Sequence, residues 1–302
     1  MIKTAIDWHI IGFGAVGQLL HGQLQAAGFS VAVVPRRGRT LATEHKVHSL
    51  QGDIKHYAIA PSNPSHKGTI RRLIVCTKSF QVTQALADIS HRLNESSEVV
   101  LVNNGMIDQA DLTPLIQGAR LLFGLNTSGA YRLGDYEVVQ AGQGQLRLGS
   151  GKEPDWFGRF QAAVPASSWI VDIQPYRWQK LAVNAVINPL TAMHNCLNGD
   201  LELEHHFAQT QDLIHELTTL LAHQGFTEIA QTFHQECWRV IQQTSQNRSS
   251  MNQDVAQRRP TEIEFILKPW LQYAAEHQLV VPHLTQLCDL FRAHVSLTNK
   301  DK

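Results

Sequence analysis

The sequence predicts a doubly wound α/β domain followed by an all-α domain. Two observations support this prediction. Short apolar runs alternate with helical patterns through the first half of the chain, and strand patterns nearly vanish after about residue 172. Alternating strands and helices indicate parallel strands joined by right-handed crossovers. We therefore place an N-terminal α/β domain at 1–172 and a helical domain at 173–302.

Apolar runs and helical patterns alternate in the N-terminal domain. The candidate strands are Trp8–Gly12, Ser30–Val34, Arg72–Thr77, Val99–Asn103 and Leu121–Asn126. The candidate helices between them are Ala15–Ala27, Ser79–Leu93 and Ile107–Leu115. Two further extended pieces, Tyr136–Gln140 and Gln145–Gly149, are short and separated by glycines, and they predict an antiparallel addition to the sheet.

Helical patterns fill the C-terminal domain. They are Gln174–Leu197, Leu201–Gln224, Thr227–Gln246, Thr261–His277 and Pro282–Ser296. The stretch Ser249–Pro260 between two of them predicts a loop.

The composition is that of an ordinary globular protein, with 43% hydrophobic residues, 17% charged residues and a formal net charge of zero. A neutral balance argues against broad binding of nucleic acid or anionic membranes, which usually needs a basic excess. No apolar stretch approaches the roughly 20 residues that cross a bilayer, and no signal peptide is apparent. The 4 cysteines form no CxxC pair, and the 16 histidines offer no convincing ligand set. We expect a cytoplasmic protein without a metal site.

A GxGxxG sequence lies at the end of the first candidate strand and opens a helical pattern. Gly12 permits the tight turn, Gly14 lets the backbone approach a pyrophosphate, and Gly17 lets the helix pack closely on the strand. This placement predicts a dinucleotide site of the Rossmann type. The expected cofactor-binding residues of the loop are Gly12, Phe13, Gly14, Ala15, Val16 and Gly17.

The end of the second candidate strand indicates which dinucleotide binds. NAD enzymes usually place an acid there to bond the ribose 2′-hydroxyl. This chain instead has Arg36, Arg37 and Arg39 after Pro35. A guanidinium can bind a 2′-phosphate in bidentate fashion, whereas a carboxylate would repel it. The pattern favours NADPH/NADP+, with Arg36 as the expected contact; a solvated basic loop is the alternative.

One helical pattern of the second domain carries a narrow polar row. Lys180, Asn184 and Asn188 are spaced i, i+4, i+8, which puts them in line about 6 Å apart on a helix. Nearly every residue between them is apolar, so the helix should be largely buried and its polar groups need partners or a water-filled cleft. A lysine in such a cleft has a lowered pKa, which suits proton transfer near neutral pH. A solvent-facing stripe is the alternative.

The segment from Lys180 to Ala192 resembles the signature helix of the ketopantoate reductases (2-dehydropantoate 2-reductases). Other segments resemble motifs of that family in the same order. They are the glycine loop, Val75–Gln81, Asn103–Met106, Ser249–Asp254 and Thr261–Ile263. These segments are spread over nearly the whole length of the chain, so the sequence is identified as a member of this family.

The resemblance implies an NADPH-dependent reduction of 2-dehydropantoate to (R)-pantoate in pantothenate and coenzyme A biosynthesis. By this resemblance Lys180 would protonate the carbonyl oxygen as hydride reaches C2. Glu262 would engage the substrate's hydroxyl and influence the charge of the lysine. Asn184, Asn188 and Ser250 would hold the substrate's carboxylate and hydroxyl.

The resemblance also implies two further contacts and leaves alternatives open. Asn104 would lie near the nicotinamide and the substrate, and Lys78 would join Arg36 in favouring NADPH over NADH. One alternative is a related reductase of another small 2-keto acid. Another is a protein that senses NADP without turnover, although the presence of both Lys180 and Glu262 argues against it. A monomer and a homodimer both fit the sequence.

Overall fold

The computed structural model describes residues 6–300, with side chains described through Val295, and it confirms the predicted fold class. Contacts divide the chain into two units. The first comprises the residues through Asn103 together with Ile107–Ile173, and the second comprises Asn104–Met106 and the residues from Gln174 onward. The tripeptide Asn104–Met106 therefore belongs to the helical unit, although it lies within the N-terminal half of the sequence.

Twelve strands and four α-helices are described in the first unit. In chain order they are β1 (Trp8–Ile11), α1 (Ala15–Ala26), β2 (Val31–Val34), β3 (Glu44–His48), β4 (Ile54–Ala58), β5 (Ala60–Pro61), β6 (Arg72–Val75), α2 (Ser79–Ala87), β7 (Glu98–Leu101), α3 (Gln109–Leu112), β8 (Arg120–Asn126), β9 (Gly129–Gly134), β10 (Glu137–Gly142), β11 (Leu146–Gly149), α4 (Phe157–Ala163) and β12 (Ser167–Ile170). A short 3-10 helix at Ser90–Arg92 follows α2.

The main sheet has the strand order β12-β11-β8-β7-β6-β1-β2-β5. The strands from β5 through β8 in this order pair in parallel, and β11 joins β8 antiparallel, as predicted for its segment. Strands β1 and β2 are buried along their whole length, which explains their continuous apolar sequences. Because β1, β2 and β6 are parallel, the glycine loop, Arg36 and Lys78 all follow carboxyl ends at one edge of this sheet.

A second sheet, ordered β4-β3-β10-β9, packs on α1. The prediction that the segment Tyr136–Gln140 adds to the main sheet is wrong, because β10 pairs in parallel with β3 and antiparallel with β9. Strands β3 and β4 were not predicted at all. The contact with the helix is a small apolar cluster of Leu19, Val47 and Val138. A core this small leaves little hydrophobic periodicity in the sequence.

The second unit contains six α-helices among the described residues. They are α5 (Gln174–His194), α6 (Glu204–His223), α7 (Thr227–Gln243), α8 (Ser250–Ala256), α9 (Ile263–Glu276) and α10 (Pro282–Lys300). Apolar residues of α5, including Ala182, Ala185 and Val186, are fully buried in the core of this unit. No helix within the described part of the chain is long and apolar enough to span a membrane.

The predicted loop Ser249–Pro260 is wrong over most of its length, because α8 forms there. The Ser249 hydroxyl caps α8 by accepting a hydrogen bond from the Asn252 amide at 3.0 Å. It also accepts from the Thr191 hydroxyl of α5 at 2.8 Å. The Asn252 side chain donates to the backbone carbonyls of Thr191 and Cys196, each at 2.8 Å. These tertiary bonds stabilise a short polar helix on α5.

Candidate active site

The glycine loop has the packing that its sequence predicts. Gly12 adopts φ +90, and a Cβ there would lie 2.5 Å from the backbone of Cys76 and Thr77. A Cβ on Gly17 would lie 2.1 Å from the carbonyl oxygen of Gly12. Gly14 has nothing within 4 Å of an added Cβ. The loop therefore packs tightly on the sheet at two glycines and keeps an open space at the third, beside the N-terminus of α1, where an anion is favoured.

The arginine segment forms an exposed turn directly after β2. The amide of Arg39 donates to the carbonyl of Arg36 at 2.9 Å, and Gly38 provides a positive φ within the turn. Arg36, Arg37 and Arg39 are exposed, and no salt bridge to them occurs among the described residues. Lys78 is half-buried and directly precedes α2. The loop, the turn and Lys78 fit a phosphorylated dinucleotide.

Helix α5 carries the predicted polar row. Lys180, Asn184 and Asn188 all lie within it, and the helix continues through Pro189. Lys180 and Asn184 are half-buried, while Asn188 is buried with 7% of its surface exposed. The apolar residues between them are buried. The solvent-stripe alternative therefore fails, because exposure falls along the row instead of staying high.

Lys180 has the electrostatics expected of a proton donor. Its ammonium donates to the Asn104 side-chain oxygen at 3.2 Å. The side chain keeps some exposed surface, but burial of the ammonium lowers the pKa of Lys180 from 10.5 to about 8. The carboxylate of Glu262 acts in the opposite direction and raises that pKa. The structure thus brings together three of the predicted residues, one from each of three distant segments.

Asn104 reaches the helical unit because its tripeptide is fixed to α9. The Met106 amide donates to the Phe265 carbonyl at 2.8 Å. Gly105 adopts a positive φ, and a Cβ there would lie 2.8 Å from both the Cβ and the carbonyl oxygen of Phe265. Only glycine fits this close approach without a shift of the backbone. The Asn-Gly turn therefore holds the Asn104 oxygen on the Lys180 ammonium.

Glu262 directly precedes α9 and is 4% exposed. The segment leading to it is closed by Arg259, whose guanidinium contacts the buried Asp254 carboxylate at 3.0 Å. The Arg259 amide also donates to the Asp254 carbonyl at 2.7 Å. Glu262 is thereby held next to the desolvated Lys180 ammonium, and its charge raises the pKa of that lysine.

Ser250 is the predicted residue that the structure places least favourably. It is exposed at the first position of α8, and among the described residues no hydrogen bond joins its side chain to α5. The adjacent Ser249 is the serine that bonds to α5. Ser250 thus lies next to Ser249, the residue that caps α8, and its contact with a substrate stays a prediction.

Sequence reasoning gave no role to three charged residues that lie near the site along the chain. Arg177 lies on α5 one turn before Lys180, and burial lowers its pKa to about 10. Asp254 and Arg259 close the segment before Glu262. The only available signal was a charged residue within an apolar or loop pattern, which does not separate them from surface charges.

The arrangement on α5 can donate a proton to an oxygen that gains negative charge. It combines a desolvated ammonium, a buried carboxylate and a row of neutral amides. Within the described residues, no group of three or more His, Cys, Asp or Glu could hold a metal ion.

Family models of known proteins match both units of the chain. A family model for ketopantoate reductase PanE/ApbA matches residues 8–153, and one for the ketopantoate reductase PanE/ApbA C terminal matches residues 172–295. A 2-dehydropantoate 2-reductase of Shigella flexneri is 30% identical over 288 residues, covering 94% of this chain and 93% of that protein. One from Vibrio cholerae serotype O1 is 31% identical over 280 residues, covering 90% and 92%.

One solved structure shares this fold at low sequence identity. A D-mandelate dehydrogenase in a ternary complex with NADH and anilino(oxo)acetate has a TM-score of 0.87 at 16% identity, covering 97% of this chain and 99% of that chain. This likeness concerns the fold alone.

Proposed function

The chain belongs to the ketopantoate reductase family, and on this premise we propose that it catalyses the NADPH-dependent reduction of 2-dehydropantoate to (R)-pantoate. This reaction is a step of pantothenate and coenzyme A biosynthesis. The observation that supports it most strongly is the desolvated Lys180 on α5. Its ammonium donates a hydrogen bond to Asn104, and the Glu262 charge raises its pKa.

Lys180 is the general acid of the proposed reaction. Reduction adds hydride to C2 of the keto acid and places negative charge on the keto oxygen, which takes a proton from the ammonium. With a pKa of about 8, the lysine is roughly nine-tenths protonated at neutral pH. A pKa within about one unit of neutral pH also favours proton transfer. The neutral amine is then reprotonated from solvent.

Glu262 and Asn104 control the charge and the position of that ammonium. Burial alone would lower the Lys180 pKa further, and the Glu262 carboxylate offsets part of this effect. The Asn104 oxygen fixes the ammonium by accepting its hydrogen bond. Glu262 also accepts a hydrogen bond from the substrate's hydroxyl in this proposal, which selects a hydroxylated keto acid.

The amide row supplies neutral recognition of the substrate. Asn184 and Asn188 follow Lys180 along α5 at one-turn intervals, and each can donate to a carboxylate and accept from a hydroxyl. Ser250 adds a third polar group from the start of α8. The buried position of Asn188 makes its amide a fixed donor, because few rotamers are open to it.

The glycine loop and the arginine turn hold the cofactor. The open space at Gly14 lets a pyrophosphate approach the first turn of α1, whereas the packed Gly12 and Gly17 fix the loop. Arg36 binds the 2′-phosphate and Lys78 adds a second cation, so NADPH is preferred to NADH. When bound, NADPH supplies the hydride.

The proposed setting is the cytoplasm. Cys76, Cys196, Cys237 and Cys288 are all free thiols, which suits a reducing compartment. The proposed partner is a small 2-keto acid, and a neutral net charge gives no support for a nucleic-acid partner.

The test is consumption of NADPH by the purified protein with 2-dehydropantoate, pyruvate and 2-oxoisovalerate, with NADH in parallel. Rapid oxidation of NADPH with 2-dehydropantoate, and (R)-pantoate as the product by chiral chromatography, is expected. Activity with another keto acid alone would keep the chemistry and overturn the substrate. Tight NADPH binding without turnover of any of the three would favour a cofactor sensor.

A further inference from the structure

The side chain of Phe13 is inserted between α1 and the second sheet. Phe13 stands between Gly12 and Gly14 in the glycine loop, so its ring is the largest side chain of that segment. The ring packs edge-on against His21 of α1 at 5.3 Å and His45 of β3 at 5.0 Å. It also lies 6.3 Å from the ring of Tyr136. A loop rich in glycine is thereby anchored through one aromatic ring.

The two histidines that receive Phe13 form a buried, neutral pair. The His21 Nδ1 and the His45 Nε2 lie 2.8 Å apart, so one ring donates and the other accepts. Burial lowers the pKa of His21 to about 3 and that of His45 to about 4. The pair therefore stays uncharged at physiological pH and ties α1 to β3 beneath the Phe13 ring.

Gln18 connects the backbone of the same loop to the second sheet. Its side-chain nitrogen donates to the Phe13 carbonyl at 3.1 Å and to the Asp135 carbonyl, in the turn between β9 and β10, at 3.0 Å. Both partners are oxygens, so the orientation of the amide is fixed by its bonds. Gln18 has no exposed surface.

The side-chain oxygen of Gln18 indicates that these two hydrogen bonds are the reason for a glutamine at this position. Its side-chain oxygen is buried and has no hydrogen-bond partner among the described residues. Burying an acceptor without a partner is costly, and a leucine would fill similar space without that cost. Packing alone therefore does not account for a glutamine here, whereas two bonds that fix the loop do.

We propose that Gln18 and the His21–His45 pair are positioning residues that hold the glycine loop in its binding conformation, so that the second sheet sets the affinity for the dinucleotide. This inference rests on the proposed binding of NADPH by that loop. A loop that becomes ordered only when the cofactor arrives loses affinity to the ordering entropy, and a loop that is already held does not. None of these three side chains needs to touch the cofactor.

The experiment compares Gln18→Leu with the wild-type chain and with Gln25→Leu. Gln25 is a matched control: it lies on the same helix, and its side-chain nitrogen also donates to a backbone carbonyl of the second sheet, that of Ala58, at 2.9 Å. The Kd for NADPH is measured by calorimetry. Steady-state kinetics then give kcat and the KM of each substrate, and a thermal melt gives Tm.

Loss of the two Gln18 bonds should raise the NADPH Kd about tenfold, which corresponds to about 1.4 kcal/mol. The kcat at saturating NADPH and the KM of the keto acid should stay unchanged, and Gln25→Leu should leave all of these values unchanged. An unchanged NADPH Kd in a folded Gln18→Leu protein would overturn the proposal. So would a fall in kcat and Tm at constant Kd, because that pattern describes a purely structural residue.

A second variant keeps the test decisive if Gln18→Leu does not fold. His45→Leu breaks the imidazole pair and leaves both Gln18 bonds in place, so a smaller rise in the NADPH Kd is expected, again without a change in the keto-acid KM. No rise in that variant would overturn the role of the pair. Failure of the wild-type chain to bind NADPH at all would instead refute the proposed function, and the positioning role with it.

Discussion

The pH dependence of reduction follows directly from the environment of Lys180. Burial lowers its pKa to about 8, and the proton donor must be protonated to act. The reduction rate should therefore be nearly constant below pH 7 and fall about tenfold per pH unit well above 8. A lysine of ordinary pKa would hold the rate nearly constant until about pH 9.5. The assay is kcat/KM for the keto acid at saturating NADPH across this range.

Substitution of Glu262 tests the direction in which the pH profile should shift. The carboxylate raises the pKa of Lys180 against the larger effect of burial, so Glu262→Gln should shift the break in the profile to lower pH. Glu264→Gln is the matched control, because Glu264 lies two residues away, is exposed and pairs with Arg292 at 3.0 Å. A break that stays in place or moves upward in Glu262→Gln would refute this account of the lysine.

Three further predictions concern the acid and the cofactor site. Lys180→Ala should lower kcat at least about a hundredfold while NADPH still binds by calorimetry; unchanged turnover would remove Lys180 from the mechanism. Arg36→Ala should weaken NADPH far more than NADH in parallel titrations, and equal losses would place the specificity elsewhere. Gly14→Ala should fold with an unchanged Tm, because its Cβ meets no other atom. It should bind NADPH poorly, because that Cβ fills the space proposed for the pyrophosphate. Gly17→Ala should lower Tm as well, because its Cβ would lie 2.1 Å from the Gly12 oxygen; equal melting temperatures would contradict this distinction.

The parts of the fold that sequence reasoning predicted are those with strong local patterns. Strands β1 and β2 are continuous apolar runs because both of their faces are buried. The glycine loop lies between β1 and α1 as its spacing requires. On α5, the row from Lys180 to Asn188 was predicted from spacing alone, because a single helix fixes the direction of each side chain.

The second sheet could not be predicted because its inward-facing positions are few and partly polar. His45 is a buried member of β3, and its environment depends on His21, a residue 24 positions away. The parallel pairing of β10 with β3 joins segments about ninety residues apart, and no local pattern encodes it.

Helix α8 and the position of Asn104 also depend on contacts between residues that are far apart in the sequence. The polar sequence after Ser249 is helical because Ser249 and Asn252 both hydrogen-bond to Thr191 of α5. Asn104 bonds to Lys180 because Gly105 packs against α9. The sequence signals the turn through Asn-Gly, but not the helix on which that turn docks.

The most direct test of the central claim is the ratio of kcat/KM for 2-dehydropantoate to that for 2-oxoisovalerate, with NADPH as the cofactor. The second compound lacks the hydroxymethyl group that Glu262 is proposed to recognise. A site that hydrogen-bonds this hydroxyl should prefer 2-dehydropantoate by at least about a hundredfold, and Glu262→Gln should reduce that preference. Equal values for the two keto acids would contradict both the proposed substrate and the role assigned to Glu262.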